Sequence, residues 1–430
     1  MFTQTIKLMR VLLIQSIIFI LIKIFRNLYL HISHFRKSFI ILSMNCILFL
    51  FCIIEIGTIV RLENTCPASI TLADVNIWKE REWMGNSGNL FIKALTRPIS
   101  VEEDSKIYFG CVLDFPNHYE KIGYKKRVAI KVVMFRGNDY YKSENMMKHE
   151  VDILKMSAQR SAKYVVKLID SLTLPNSLVM VMELGDQSLN HQLKLFKAEW
   201  KQHKDLETIN SDIKFILLQM VVALQDLHRF AVHLALKSEN WLYVFRDRKK
   251  LLVLIDFQTS ILVQMDGRVD SSTENKQSEL RAFMCKTKTG RTNLPRTRRF
   301  ASPEHRKFCE NPAENEITVQ TDIWSLGILL LEILAKTPQI DAICRTHKRH
   351  RVCKENDERQ NFKILRNVFV DDELAAVVPG GDENDQNIDE QLKTAVSICF
   401  PHLFVLIEQM LSNDPESRPT TQTLLNELQK

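Results

Sequence analysis

The chain changes character near residue 184. From about residue 97 to 183, short β-type runs such as Arg127 to Val133 and Leu178 to Met182 surround one segment of helical spacing. That segment, Lys142 to Ser157, carries apolar residues at Met147, Val151 and Leu154. Beyond residue 184 the pattern is mostly helical. Ser211 is placed to cap a helix holding Ile213, Phe215, Leu218, Val221, Leu224 and Leu227, and Ile323 to Leu334 forms another. Strands around a single helix followed by a run of helices imply an α+β fold. The 430 residues are enough for a two-lobed domain plus an extra segment. Polar, turn-rich stretches near 266–278 and 379–390 read as surface insertions.

Residues 1–61 differ from everything after them, and 62–96 read as a linker or extension. Val11 to Ile22 is too short to cross ~30 Å of hydrocarbon as a helix, whereas Phe39 to Val60 has the length a span needs. Three readings stay open: a signal-anchor or pair of membrane segments, a signal peptide with its apolar core at Met44 to Ile56, and a buried helical hairpin. In the second reading Met44 could itself be the true start. Arg36 and Lys37 before the second span would send the rest of the chain across the membrane, while the absence of an Asn-x-Ser/Thr sequon argues the other way. Membrane or secretory pathway is the expected location, with contact to the membrane through residues 39–60.

The net charge of +7 is mild for this length, and no motif supports nucleic-acid binding. No two of the nine cysteines stand at CxxC spacing, which argues against a zinc site. Two lie in the leader. The other seven are odd in number, favouring free thiols in a reducing compartment, with a Cys344–Cys353 bridge open to an exported domain.

Several short motifs fall in a fixed order: Val128-Ala129-Ile130-Lys131, Glu150 nineteen residues on, His233-Leu234-Ala235-Leu236-Lys237-Ser238-Glu239-Asn240, Ile255-Asp256-Phe257-Gln258, Ala301-Ser302-Pro303-Glu304, Asp322-Ile323-Trp324-Ser325-Leu326-Gly327, and Arg418 between Asp414 and Pro419. This order resembles the protein kinase family, of serine/threonine type, over residues ~97–430. The resemblance implies a kinase N-lobe at 97–183 and a C-lobe at 184–430. It also implies ATP and Mg²⁺ as cofactors and another protein as partner.

The resemblance further implies that Lys131 grips phosphates and Glu150 aims it, that Met182 backs the adenine pocket, and that the backbone of Glu183 and Leu184 pairs with adenine. Ala129 and Leu242 would join the ATP-binding residues, and Asn240 and Asp256 would hold the metal. His233, Phe257, Glu304, Asp322 and Arg418 would be structural, with Glu304 paired to Arg418. Ser105 to Val112 aligns with the phosphate-covering glycine loop, keeping only Gly110, with Val112 after it. Two departures matter most. Ala235 stands where the family has its catalytic aspartate, beside a retained Lys237, and Leu234 replaces the arginine that clasps a phosphorylated activation loop. General-base help is worth ~10²–10⁴-fold, and a methyl group supplies none. The pattern is that of a pseudokinase; an active kinase without the usual aspartate and a module that binds no nucleotide are the alternatives. The activation segment between Asp256 and Glu304 is basic, with Arg281, Lys286, Lys288, Arg291, Arg296, Arg298 and Arg299, which suits an acidic partner, a membrane headgroup or a solvated loop.

Overall fold

In the computed structural model the chain divides into two units, Met1–Thr65 and Cys66–Lys430. The structure describes residues 82–84, 90–93, 98–101, 105–114, 123–134, 140–174, 177–203, 205–269, 285, 298–311, 316–346, 358–370 and 383–430. The leader and the basic run 286–297 lie outside these. Among the described residues no helix is long and apolar enough to cross a membrane.

The β-branched run around Val128-Ala129-Ile130 forms the centre of an antiparallel sheet. Strand β5 (Gly123–Met134) has β4 (Ser105–Asp114) on one side and β7 (Ser177–Glu183) on the other. β1 (Glu82–Met84), β2 (Leu90–Lys93), β3 (Ser100–Val101) and β6 (Leu168–Leu174) complete it, in the order β1-β2-β4-β5-β7-β6, with β3 also on β4. Side chains alternate across a strand, so the sheet has two distinct faces. Val128, Ile130, Val179 and Val181 pack together on one. Val133, Leu178 and Met180 pack with Val151 of helix α1 (Tyr140–Gln159) on the other, which is also the face of Lys131 and Ala129.

The second lobe follows from apolar helices that must be surrounded. In α5 (Gln320–Leu334) nearly every residue is buried, and a helix apolar on all sides belongs in a core. Around it stand α2 (Leu189–His203), α3 (Leu206–Leu227), α4 (Pro303–Glu310), α6 (Pro338–Thr346), α7 (Glu358–Phe369), α8 (Glu383–Cys399), α9 (Pro401–Met410) and α10 (Thr421–Gln429). Four short strands, β8 (Ala231–Val232), β9 (Trp241–Arg246), β10 (Lys249–Leu254) and β11 (Ile261–Leu262), carry the loops that form the site. Asp247 and Arg248, both at positive φ, make the tight two-residue turn between β9 and β10.

Two local expectations are corrected. Helix α3 begins at Leu206, capped by Asp205, whose carboxylate accepts from Thr208 N–H at 2.7 Å; Ser211 lies inside it. Burial of Ile209 carries the helix one turn further back. The stretch read as an insertion at 379–390 is helical from Glu383 onward, since Leu392 and Val396 of the same helix reach the core.

Candidate functional site

Lys131 comes off the helix-facing side of β5 and is buried with Glu150 of α1. Its Nζ donates to Glu150 Oε1 at 3.1 Å and Oε2 at 3.0 Å, and lies 3.5 Å from Asp256 Oδ1. The apolar residues Val151, Ile153 and Leu154 seat α1 so that Glu150 reaches this position. Glu150 Oε1 also accepts the Phe257 N–H at 3.2 Å, so one carboxylate ties β5 to the segment after β10. Burial pushes the Glu150 carboxyl above its usual range, against the pull of Lys131. Burial acts in the same direction on Asp256, but Lys131 and Lys237 outweigh it and hold Asp256 low, hence ionised.

The loop His233–Asn240 is held by its backbone. Asp322, in the first turn of α5, accepts the N–H groups of His233 at 2.7 Å and Leu234 at 2.9 Å. The Ala235 N–H donates to His233 Nδ1 at 3.2 Å, so the other ring nitrogen, 3.1 Å from the Ile255 carbonyl, carries the proton. Burial lowers the His233 pKa and keeps that ring neutral, edge-on to Phe257 at 5.1 Å. Asn240 Nδ2 donates to the Ala235 carbonyl at 3.0 Å, which fixes the amide and assigns its oxygen as the acceptor. The left-handed turn after the loop falls on Asp256 (φ 67), not on Gln258, so no glycine is required there. Ala235, aligned by the resemblance with the catalytic aspartate, therefore has its backbone fixed by these bonds and offers only a methyl group.

Strand register overturns the reading of Ser105–Val112 as the phosphate-covering loop. These residues form one continuous strand, paired with β5 on one side and with β3 and β2 on the other. Backbone N–H groups committed to a ladder cannot cradle an anion. Gly110 pairs with Val128 on the face turned away from Lys131, and Val112 lies five positions, ~17 Å, along β4 from Ile107, the residue opposite Lys131. On the other side of β4, Val101 of β3 pairs with Lys106. In sequence Glu102, Glu103 and Asp104 lie between these two strands, outside the described residues. A Gly-Cys-Val run at the far end of the strand had imitated the end of a glycine loop.

Where the resemblance places adenine, Met182 pairs with Ala129 across β5 and β7 and shares its face. The side chain of Leu242, on β9, presses on the hinge: a Cβ added at Gly185 would stand 2.0 Å from Leu242 Cδ2. The Glu183 carboxylate is drawn away from this space. It accepts from the Lys167 N–H at 2.8 Å and from Arg246 Nε at 3.0 Å, and Arg246 also donates to the carbonyls of Lys163 and Val165. Arg246 was missed by sequence reasoning; 63 residues separate it from Glu183.

Below the loop, Glu304 and Arg418 form a bidentate pair at 2.7 and 2.8 Å, as expected. Arg418 also donates to the carbonyls of Gln320 and Ser412 and lies over the Trp324 ring. Although burial works against it, Arg418 holds the Glu304 carboxyl below its usual range. Ser302 caps α4 by accepting from the His305 N–H. Leu234, at φ 64, enters an apolar cluster with Val232, Ile261, Phe308 and Ile317. The same cluster contains Cys285 and Cys309, joined as a disulfide. Cys111 is disulfide-bonded too, while Cys399 is a free thiol. The expectation that seven cysteines favour free thiols is thus corrected: the fold brings cysteines 24 residues apart within bonding distance, which spacing alone could not reveal, while Cys353 of the bridge left open lies outside the described residues.

No curated protein matches the chain. The sequence model of the protein kinase domain matches residues 109–428, from the middle of β4 to the last helix, and so takes in every element of the site just described. With its sheet-built small lobe, helical large lobe and Lys131–Glu150–Asp256 arrangement, the chain belongs to the protein kinase domain family.

Proposed function

We propose that this kinase domain is a pseudokinase, one that takes up a Mg²⁺–nucleotide and acts as a scaffold or allosteric partner of another protein in phosphorylation signalling. The observation that carries the reading is Ala235, a methyl group at a place where the backbone is held by Asp322, His233 and Asn240. The donor set suits magnesium: an ionised Asp256 and an oriented Asn240 oxygen are the one or two protein ligands this ion takes when phosphates supply the rest. When bound, the ion would offset phosphate charge. Lys131, aimed by Glu150, would bind the phosphates, Met182 and Leu242 would enclose the base, and nothing at position 235 would receive the acceptor's proton. Localisation in the membrane or secretory pathway, with attachment through residues 39–60, belongs to the same proposal and rests on the apolar leader. In the test, purified protein should show a Mg²⁺-dependent thermal shift with ATP and no phosphate transfer above a Lys131→Met control.

A second reading is favoured by the assembled Lys131–Glu150–Asp256 group. A loose phosphoryl transition state asks little of a base, so positioning alone could sustain transfer. Autophosphorylation abolished by Asp256→Asn would establish it. The acidic connection Glu102-Glu103-Asp104 supports a third, a module without nucleotide, which would give no thermal shift at all.

A further inference from the structure

A kinase that is ordered by phosphorylation needs a cation to receive the phosphate. At position 234 this chain has leucine, buried among Val232, Ile261, Val269, Ala301, Phe308 and Ile317. A phosphate brought to that place would be a charge in an apolar site, with a desolvation cost and no partner at residue 234. What crosses the cluster instead is covalent. Cys285 and Cys309 are both buried there, and Cys309 belongs to α4, the helix already fastened through Glu304 to Arg418. The cluster is closed from its other sides by backbone bonds, Val263 N–H to Phe230 O at 3.0 Å and Val269 N–H to Ile317 O at 2.9 Å.

We propose that the Cys285–Cys309 disulfide, seated on the Leu234 cluster, replaces a phosphate clasp, so that the join between the activation segment and α4 is set by oxidation and not by phosphorylation. The inference needs only the kinase fold and holds whether or not the chain transfers phosphate. The bond forms by exchange with a small disulfide such as oxidised glutathione. One cysteine thiolate attacks the reagent's S–S bond, expelling a thiolate and leaving a mixed disulfide. The second cysteine thiolate then displaces the remaining reagent sulfur. Two protein thiols and one disulfide become one protein disulfide and two small thiols, and two electrons pass to the reagent. A dithiol or phosphine reductant reverses it. Burial of both sulfur atoms shields the finished bond until the cluster opens. A bond of this kind persists in oxidising compartments, in keeping with export of the domain.

The test uses the full chain. Alkylated under denaturing conditions without reductant and then digested, it should yield a linked peptide containing Cys285 and Cys309. Alkylation of both cysteines would overturn the proposal. Hydrogen exchange over residues 298–311 should accelerate at least about tenfold in a Cys285→Ser/Cys309→Ser variant, with a Tm about 5 °C or more lower. Phosphatase treatment of the wild type should change neither. If the variant does not fold, the folded wild type is treated with a phosphine, and exchange should accelerate as the two cysteines become alkylatable. Unchanged exchange after the bond is gone, or acceleration on dephosphorylation with the bond intact, would overturn it.

Discussion

The two sides of the cleft differ in kind. On the proposed nucleotide side, side chains carry the arrangement: Lys131 Nζ reaches the Glu150 carboxylate at 3.0 and 3.1 Å and Asp256 at 3.5 Å. On the acceptor side the arrangement is carried by backbone, since Asp322 bonds the N–H groups of His233 and Leu234 and Asn240 bonds the carbonyl of Ala235. A loop fastened through its peptide groups keeps its shape whichever side chains it bears. That is why Leu234 and Ala235 can stand at two positions of chemical importance without the fold being lost, whereas replacing Lys131 would leave the buried Glu150 without its ion partner.

If the acceptor side remains a rigid scaffold, removing its anchor should have the largest effect. Arg418→Ala leaves Glu304 buried without its ion partner and should cost ~3–5 kcal/mol in chemical denaturation. A loss under 1 kcal/mol would mean that the acceptor side is loosely built and that the contrast between the two sides is one of order, not of chemistry.

Proton linkage gives the next effect. Burial pushes His305 of α4 down to about 4, so the folded state keeps the ring neutral while the unfolded chain, near the ordinary 6.5, takes up a proton. The unfolded state then binds more protons, and stability must fall as pH falls from 6.5 toward 4, by up to ~1.4 kcal/mol per pH unit. Above 6.5 this contribution is fully present. Denaturation at pH 7, 6 and 5 should show the slope, and His305→Gln should reduce it, leaving the share of His233, whose ring burial also keeps neutral. Asp322 and Glu304, both held below their usual ranges, add a further loss at lower pH, as they protonate.

On the nucleotide side, Gly185→Ala should cost ~1–3 kcal/mol by overpacking, as its Cβ displaces Leu242 toward the base site. The ATP-dependent thermal shift should disappear, and adding Leu242→Ala should recover part of it. A shift unaltered by Gly185→Ala would remove Leu242 from the binding surface.

Much of this was legible in the amino-acid order. The spacing of Lys131 and Glu150, the Asp322–Gly327 motif and the Glu304–Arg418 pair were all anticipated, because each joins an element start or a strand face to one strongly preferred partner. The errors share a different cause. Gly110 was placed in a loop because a strand and a glycine loop can both end in Gly-x-Val, and only pairing with β5 tells them apart. The hold of Arg246 on Glu183 and the Cys285–Cys309 bond depend on which distant segments meet. The start of α3 at Leu206 was missed because Asp205 and Ser211 both suit a cap, and burial of Ile209 decides between them.

The central claim is that the cleft is assembled for a nucleotide and unequipped for transfer. It is tested most directly by radiolabelled phosphate incorporation from Mg²⁺–ATP, with wild type, Lys131→Met and Asp256→Asn run side by side on protein shown to bind ATP. The account predicts that all three incorporate label at the same background level. Wild-type incorporation well above both variants would contradict it.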